Sequence, residues 1–176
     1  SDAVYLGLSD FNARRNAENF TADTLAETIS FCHARKVKVY ITINTLVSDD
    51  EIQRALDTAK CACTCGADAF IVADTGLAAL MRRCCPSMPL HASTQMAVRT
   101  LYAYKELAAA GFSRAVLPRE SSEKDIKEIC AKKPLDTELF VHGAHCMSVS
   151  GQCYLSAMIG SRSGNRGLCA QPCRLP

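Results

Sequence analysis

The sequence lacks any apolar run near the ~20 residues that a membrane-spanning helix needs, so we expect no membrane association. No basic segment followed by an apolar one opens the chain, which argues against a secretory signal peptide. The formal net charge is only +2, so charge alone does not predict a nucleic-acid partner. These absences favour an ordinary globular protein of the cytoplasm.

Several common catalytic motifs are also missing. There is no His-Glu-x-x-His pair for a zinc peptidase and no Gly-x-Ser-x-Gly turn for a serine hydrolase. No glycine-rich phosphate loop follows the first predicted strand, which weakens a nucleotide-binding open sheet. His145 precedes Cys146, but adjacent residues rarely aim at each other, so a thiol peptidase is only an alternative.

Cysteine, in contrast, is abundant: eleven residues, an odd number that excludes complete pairing in disulfides. A reducing compartment is therefore the better assumption. Four cysteines lie within 28 residues in the spacing C-x6-C-x15-C-x3-C, namely Cys146, Cys153, Cys169 and Cys173. The glycine- and serine-rich segment around them can wrap a ligand, and thiolates suit either an iron–sulfur cluster or zinc. The first spacing is wider than zinc sites generally use.

The other clustered cysteines are interpreted as structural. They are Cys61, Cys63 and Cys65 on a predicted helix and the neighbours Cys84 and Cys85. A second metal site is the alternative for the first three, but free cysteine generally behaves as a small buried hydrophobic residue.

Short apolar segments alternate with helical patterns along the chain. Six strands are predicted at residues 3–8, 37–43, 69–73, 90–93, 114–117 and 138–141. Five helices are predicted between them. Leu25 and Ile29 lie on one face of the first, and Ser48 with Glu51 forms a capping box at the start of the second. The other three cover residues 77–83, 96–110 and 123–131. This alternation predicts a parallel sheet.

Polar residues recur where several of these strands end, which favours a (β/α)8 TIM-barrel-like fold over a doubly wound sheet. A closed barrel needs eight strands and usually ~250 residues, so we expect an incomplete barrel that lacks a first βα unit and a late strand. Residues 1–145 are predicted to form the partial barrel, and residues 146–176 a cysteine-rich segment of the same domain. Exposed edges of such a barrel predict a homo-oligomer.

The strand ends supply the candidate site. The predicted catalytic residues are His91, Arg119 and His142, and the predicted substrate-binding residues are Asn44, Asp74, Gln95, Glu120, Arg162 and Arg166. An arginine at the barrel rim suits a small dicarboxylic acid, and the tail arginines suit phosphate. As alternatives, the histidines are ordinary half-buried residues, and the Asn, Asp and Gln side chains cap loops. Glu138, at the start of a predicted strand, is expected to be structural.

Residues 138–156 resemble the signature of the peptidase U32 family, also called collagenase-like proteases. The matching positions are Glu138, Phe140, Gly143, Ala144, Cys146, Ser150, Gly151, Cys153 and Ser156. Further similarity lies at residues 3–7, 91–95, 117–120 and 164–174, so the resemblance covers essentially the whole chain. The ending Cys169-Ala-Gln-Pro-Cys173-Arg-Leu-Pro is most similar to the branch that includes ribosomal-RNA hydroxylation proteins.

The resemblance implies a 4Fe–4S cluster held by Cys146, Cys153, Cys169 and Cys173, of which Cys173 is the ligand that the resemblance fixes least. It also implies oxygen-independent hydroxylation of RNA (rRNA or tRNA) or of a ubiquinone precursor, with prephenate as oxygen donor and co-substrate. A collagenase-like peptidase and a non-catalytic module stabilised by metal are the alternatives.

Overall fold

The computed structural model describes residues 1–15, 19–143 and 146–174. Six strands of these residues form one parallel sheet in which each strand pairs with the next one along the chain. The strands are β1 Ala3–Gly7, β2 Lys38–Ile43, β3 Ala69–Val72, β4 Leu90–Ala92, β5 Arg114–Val116 and β6 Asp136–Glu138. The sheet is a curled half-barrel, which confirms the TIM-barrel-like prediction.

A helix follows each of the first five strands, as a parallel sheet requires. These helices are α1 Ala22–His33, α2 Ile52–Thr64, α3 Thr75–Cys84, α4 Leu101–Ala109 and α5 Glu123–Lys132. A sixth helix, α6 Leu155–Gly160, lies inside the cysteine-rich segment. In the described part of the chain, no helix is long and apolar enough to cross a bilayer.

Alternation along the strands separates the core from the inside of the half-barrel. Val39, Ile41 and Ile43 of β2 are fully buried in the apolar core. Thr42, between two of them, points to the opposite side and lines a cavity. Because successive strand side chains face opposite ways, one face of the sheet supports the helices while the other is free for polar residues.

Local capping signals set the helix ends as the sequence predicts. Ser48 and Glu51 form the expected capping box before α2. Gly66 follows the last turn of α2 with a φ of +94°, a conformation that glycine adopts without steric cost.

Three element predictions are wrong. The sixth strand covers residues 136–138, not 138–141. These residues pair with β5 although they are polar and show no apolar pattern, so the sequence does not reveal them. The fourth helix begins at Leu101 and not at residue 96, since a 3₁₀ turn and an Ala97 in the left-handed region precede it. Helix α6 was not predicted at all. The division at residues 145 and 146 stays a prediction, and His145 lies outside the described residues.

Two glycines let the cysteine-rich segment approach the barrel closely. Both have positive φ, +75° at Gly151 and +76° at Gly167. A Cβ atom at Gly151 would collide with the carbonyl oxygen of Gln95, and one at Gly167 with the carbonyl oxygen of Asn12. Only glycine satisfies both the backbone conformation and the close approach.

Replacing Gly151 by alanine should therefore loosen the segment from the barrel. We expect Gly151→Ala to destabilise its attachment by about 1–3 kcal/mol, the typical cost of a strained backbone position. The measurement is limited trypsin digestion, which should cut faster after Arg162 and Arg166 in the variant.

The control is Gly160→Ala. No atom lies within 4 Å of a Cβ at Gly160, and its φ is not positive. Its cleavage rate should match that of the unchanged protein. Equal rates for the two variants would contradict the packing role of Gly151.

Candidate functional site

A cavity of about 720 Å³ opens where the carboxyl ends of the strands meet. Sheet residues such as Thr42, Ile71 and Val116 form one part of its wall, and residues between 146 and 173 form another. The predicted site residues that line it are Asn44, Gln95, Arg119, Cys146, Cys153, Cys169 and Cys173. Its size is in the range of small-molecule sites, ~300–1,000 Å³.

All four predicted metal ligands are free thiols on this wall. Cys153 is half-buried, whereas Cys146, Cys169 and Cys173 are exposed. The backbone N–H of Gln171 donates a hydrogen bond to Sγ of Cys169 over 3.4 Å. Hydrogen bonds of this kind orient a metal-binding thiolate and stabilise its charge.

The four cysteines are a donor set that either a zinc ion or an iron–sulfur cluster accepts. Among residues 1–15, 19–143 and 146–174, no three His, Cys, Asp or Glu side chains converge on a point that would hold one metal ion. A zinc ion needs all its ligands at about 2.0–2.3 Å from one centre. A 4Fe–4S cluster is larger and carries each thiolate on a different iron, so its ligands stand farther apart. Four free thiols on one cavity wall supply the four thiolates that a 4Fe–4S cluster takes as ligands.

An ion pair attaches the cysteine-rich segment to the loop after β2. Both terminal nitrogens of the Arg166 guanidinium donate hydrogen bonds to the Glu51 carboxylate. Nη1 donates to Oε2 of Glu51 at 2.8 Å and also to the Leu46 carbonyl at 3.1 Å. This contact, together with the Ser48 backbone N–H, lowers the pKa of Glu51 to about 2. Arg166 thus has an internal partner in Glu51, and its phosphate contact stays a prediction.

Glu120 makes a second attachment and does not line the cavity. Its two carboxylate oxygens accept hydrogen bonds from the backbone N–H and the hydroxyl of Ser150, at 2.8 and 3.0 Å. Burial acts to raise the pKa of Glu120, but these hydrogen bonds outweigh it and hold the pKa below its usual value. These contacts hold the segment next to Cys153, and the substrate contact of Glu120 stays a prediction.

Arg119 is the cavity residue best suited to an anion. Its guanidinium carbon lies 4.1 Å from the centre of the Phe140 ring. This cation–π contact orients the planar guanidinium group. Its Nε is buried and, within the described part of the chain, has no hydrogen-bond partner. A buried donor without a partner is costly, so this position favours a ligand with acceptor oxygens.

The amide and acidic side chains divide between the cavity and the fold. Asn44 lines the cavity, while its Oδ1 accepts from the backbone N–H of Ala13 at 2.9 Å and its Nδ2 donates to Ser93 at 3.2 Å. Asp74 does not line it; Asp74 caps α3 by accepting from the backbone N–H of Leu77 at 2.8 Å. For Asp74 the loop-capping alternative is therefore the one that the structure supports.

The two predicted catalytic histidines lie away from the cavity wall. His91 is buried inside the barrel, edge-on to the Tyr40 ring at 4.7 Å, and burial with the nearby Arg114 cation lowers its pKa to about 4. His142 is exposed. The cavity lining contains neither residue. Their catalytic roles stay predictions that this geometry does not support.

The cavity is also lined by residues that were not predicted as site residues, among them Tyr5, Asn12, Glu138 and Phe140. Glu138 is the last residue of β6, so the prediction that it starts a strand is wrong. Its Oε2 lies 3.4 Å from Nη1 of Arg114. Asn12 follows β1 and is buried. The rule that polar residues follow strand ends would have found Asn12 had it been applied to the first strand.

Comparison with known sequences places these features in a family. The sequence model described as "Peptidase family U32" matches residues 1–176. The chain is 42% identical over 176 residues to the 23S rRNA 5-hydroxycytidine C2501 synthase of Escherichia coli (strain K12), covering 100% of this chain and 26% of that protein. It is 34% identical over 174 residues to tRNA hydroxylation protein P1 of Bacillus subtilis (strain 168), covering 99% of this chain and 41% of the relative. The chain thus spans well under half of these relatives.

One solved structure supports the fold. "The Structure of the U32 Peptidase Mk0906" superposes with a TM-score of 0.62, over 79% of this chain and 59% of the other, at 16% sequence identity. At that identity the match concerns the fold alone.

The Arg166–Glu51 pair should stabilise the protein in a pH-dependent way. The pKa of Glu51 is about 2 when folded against an ordinary value of 4.5, so the contribution is complete above pH 4.5 and is lost as the pH falls toward 2. We expect Arg166→Gln to lower the free energy of unfolding at pH 7 by about 1.5–3 kcal/mol. The difference from the unchanged protein should shrink between pH 4.5 and 2 in urea titrations.

Lys127→Gln is the matched control, because it removes an ion pair with Glu123 in which both side chains are largely exposed. Exposed pairs contribute little, so its stability should hardly change. An Arg166→Gln variant as stable as the unchanged protein at pH 7 would show that the pair does not hold the segment.

Proposed function

This chain belongs to peptidase family U32, and on that basis we propose that it holds the cluster and binds substrate in an iron–sulfur enzyme that hydroxylates RNA without molecular oxygen. One observation carries the proposal: four free cysteines line the same cavity as Arg119, Asn44 and Gln95. Reaction and redox centre would then share one enclosed space. The complete enzyme would act in the cytoplasm, where thiols stay reduced and RNA is present.

We assign the 4Fe–4S cluster to Cys146, Cys153, Cys169 and Cys173. When bound, such a cluster supplies the electron-transfer chemistry that amino-acid side chains lack. Other residues of the chain position these ligands. The Gln171 N–H donates to Cys169, and the contacts of Arg166 with Glu51 and of Ser150 with Glu120 hold the segment on the barrel. Support for the cluster comes from the four free thiols on one cavity wall, and the C-x6-C spacing of the first two is wider than zinc sites generally use.

RNA as the substrate is supported by the names of two relatives, which refer to 23S rRNA and to tRNA. A nucleobase must leave its stack to reach a cavity of this kind. The amides of Asn44 and Gln95 carry both donors and acceptors, which suit the polar edge of a base. The exposed Arg162 and Arg14, the latter at the cavity, would contact phosphates and position the strand.

A small dicarboxylic acid, prephenate by the family resemblance, is the proposed oxygen donor. Arg119 would bind one carboxylate, because its planar fork forms two parallel hydrogen bonds with such a group. The unpartnered buried Nε and the Phe140 ring beside it support this role. Carboxylate, nucleobase and cluster would then lie within one cavity, and proximity would supply part of the rate.

A peptidase is the second candidate, since the family and one matched structure carry that name. A thiol peptidase needs a histidine hydrogen-bonded to its cysteine. In residues 1–15, 19–143 and 146–174 no cysteine has a histidine as hydrogen-bond partner. A non-catalytic module stabilised by metal is the third candidate.

The cluster assignment predicts a coloured protein. The full-length protein, purified anaerobically, should absorb in the visible region and contain about four iron and four sulfide per chain. Cys146→Ser, Cys153→Ser and Cys169→Ser should each lose most of this absorption. Cys84→Ser, which changes an exposed cysteine at the end of α3, should keep it.

A colourless protein that binds one zinc per chain under the same conditions would refute the cluster. Chelation that unfolds the protein, without any RNA or acid binding, would favour the metal-stabilised module. Peptide cleavage that persists without metal and disappears in Cys146→Ser would favour the peptidase.

Arg119 should be required for activity but not for the cluster. In cells that lack the native gene, full-length Arg119→Gln should restore at least ~10-fold less hydroxylated nucleoside than the unchanged protein, because a charged hydrogen bond is lost. Mass spectrometry of digested rRNA and tRNA measures this, and the visible spectrum should be unchanged.

His142→Gln provides the control, since this exposed side chain does not line the cavity. It should restore the modified nucleoside fully. Equal restoration by Arg119→Gln and the unchanged protein would remove Arg119 from the proposed site.

A further inference from the structure

Two cysteines outside the cavity bring their sulfurs into contact. Cys63 lies in the last turn of α2 and Cys85 directly follows α3, 22 positions later. The two helices pack side by side, and the Sγ atoms are 3.4 Å apart, with the Cys63 thiol donating to Cys85. Both residues are half-buried free thiols, on the helical outer layer and away from the cavity lining.

We propose that Cys63 and Cys85 form a reversible dithiol–disulfide pair. A disulfide bond is ≈ 2.05 Å long, so the sulfurs need to approach by about 1.4 Å from their present separation of 3.4 Å. The bond would link α2 to α3. Partial burial leaves the pair reachable by a small reagent but shields it from other proteins.

The thiols of Cys61 and Cys65 also interact, but the position of both residues on one helix does not suit a disulfide. Cys61 and Cys65 are one turn apart on the same helix, where Cβ atoms stand about 5–6 Å apart. A disulfide requires Cβ atoms at ≈ 3.5–4.5 Å, so this pair would have to distort α2. Cys84, next to Cys85 in sequence, is exposed and serves as the natural comparison.

The oxidant class that fits is a small disulfide such as oxidised glutathione. The Cys85 thiolate attacks one glutathione sulfur, which breaks that S–S bond and releases one glutathione thiolate. The Cys63 thiolate then attacks the Cys85 sulfur of the mixed disulfide and releases the second. Two thiols are oxidised, one disulfide is reduced to two glutathiones, and the two protons pass to the glutathione thiolates.

The environment sets the order of these steps. Burial, with the hydrogen bond to Cys85, raises the pKa of Cys63 to about 12. Because the thiolate is the nucleophile, Cys63 reacts second, as an intramolecular resolving thiol. A variant without Cys63 should therefore accumulate glutathione on Cys85.

The test uses the full-length protein, equilibrated anaerobically with oxidised and reduced glutathione, blocked with a thiol reagent and digested with trypsin. Trypsin cuts after Lys60, Arg82, Arg83 and Arg99, so the linked product joins residues 61–82 to residues 84–99. This link should form in the unchanged protein and in the controls Cys65→Ser and Cys84→Ser. It should vanish in Cys63→Ser and in Cys85→Ser, and Cys63→Ser should carry glutathione on Cys85.

Thermal unfolding of the reduced variants checks that each still folds, and oxidation should raise the unfolding midpoint only where the link forms. No link in the unchanged protein, a link lost in Cys84→Ser, or glutathione trapped on another cysteine of the two peptides would each overturn the proposal. The cavity cysteines serve as an internal reference, because their visible absorption should not depend on Cys63 or Cys85.

Discussion

The contact between Arg166 and Glu51 is the constraint on which the candidate site depends. It joins residues that are 115 positions apart and attaches the glycine- and serine-rich segment to the loop after β2. This segment has little apolar core of its own: α6 is only six residues long and exposes Met158 and Ile159. Polar contacts therefore hold this segment in place of hydrophobic packing. The half-buried ion pair, with two hydrogen bonds, can attach the segment because further hydrogen bonds fix both Glu51 and Arg166.

The half-barrel contributes the other side of the site through one geometric property. All six strands run parallel and in chain order, so their carboxyl ends meet at one edge. Asn44, Gln95 and Arg119, from three separate loops, thereby share a wall with the cysteines. The charged interior contact of Arg114 with Glu138 lies beside this wall and fixes the last strand. The cysteines and the polar side chains of this wall thus come from different parts of the chain and meet only in the folded protein.

Local patterns allowed most of the barrel to be predicted, together with four cysteines that the structure places on one cavity wall. Apolar strands, capping boxes and cysteine spacing are short-range signals, and they located five strands, five helices and the four cavity cysteines. Residues whose role depends on a distant partner could not be assigned this way. In the sequence, Arg166 resembles a phosphate-binding residue, but in the structure it pairs with Glu51. Asp74 likewise resembles a site residue, but its side chain caps α3. The sixth strand, Asp136–Glu138, has no apolar alternation, so only its pairing with β5 reveals it.

The anchors of the cysteine-rich segment also impose an order on biogenesis. Glu51, Gln95 and Glu120, which receive the segment, are all made before the ribosome reaches Cys146, so the receiving surface can fold first. The thiols become neighbours only after the chain has closed this long loop. Iron and sulfide delivered earlier would meet scattered cysteines, whereas delivery afterwards would meet an arranged set. A metal centre held by these thiols would therefore be assembled only after translation, once the half-barrel had folded.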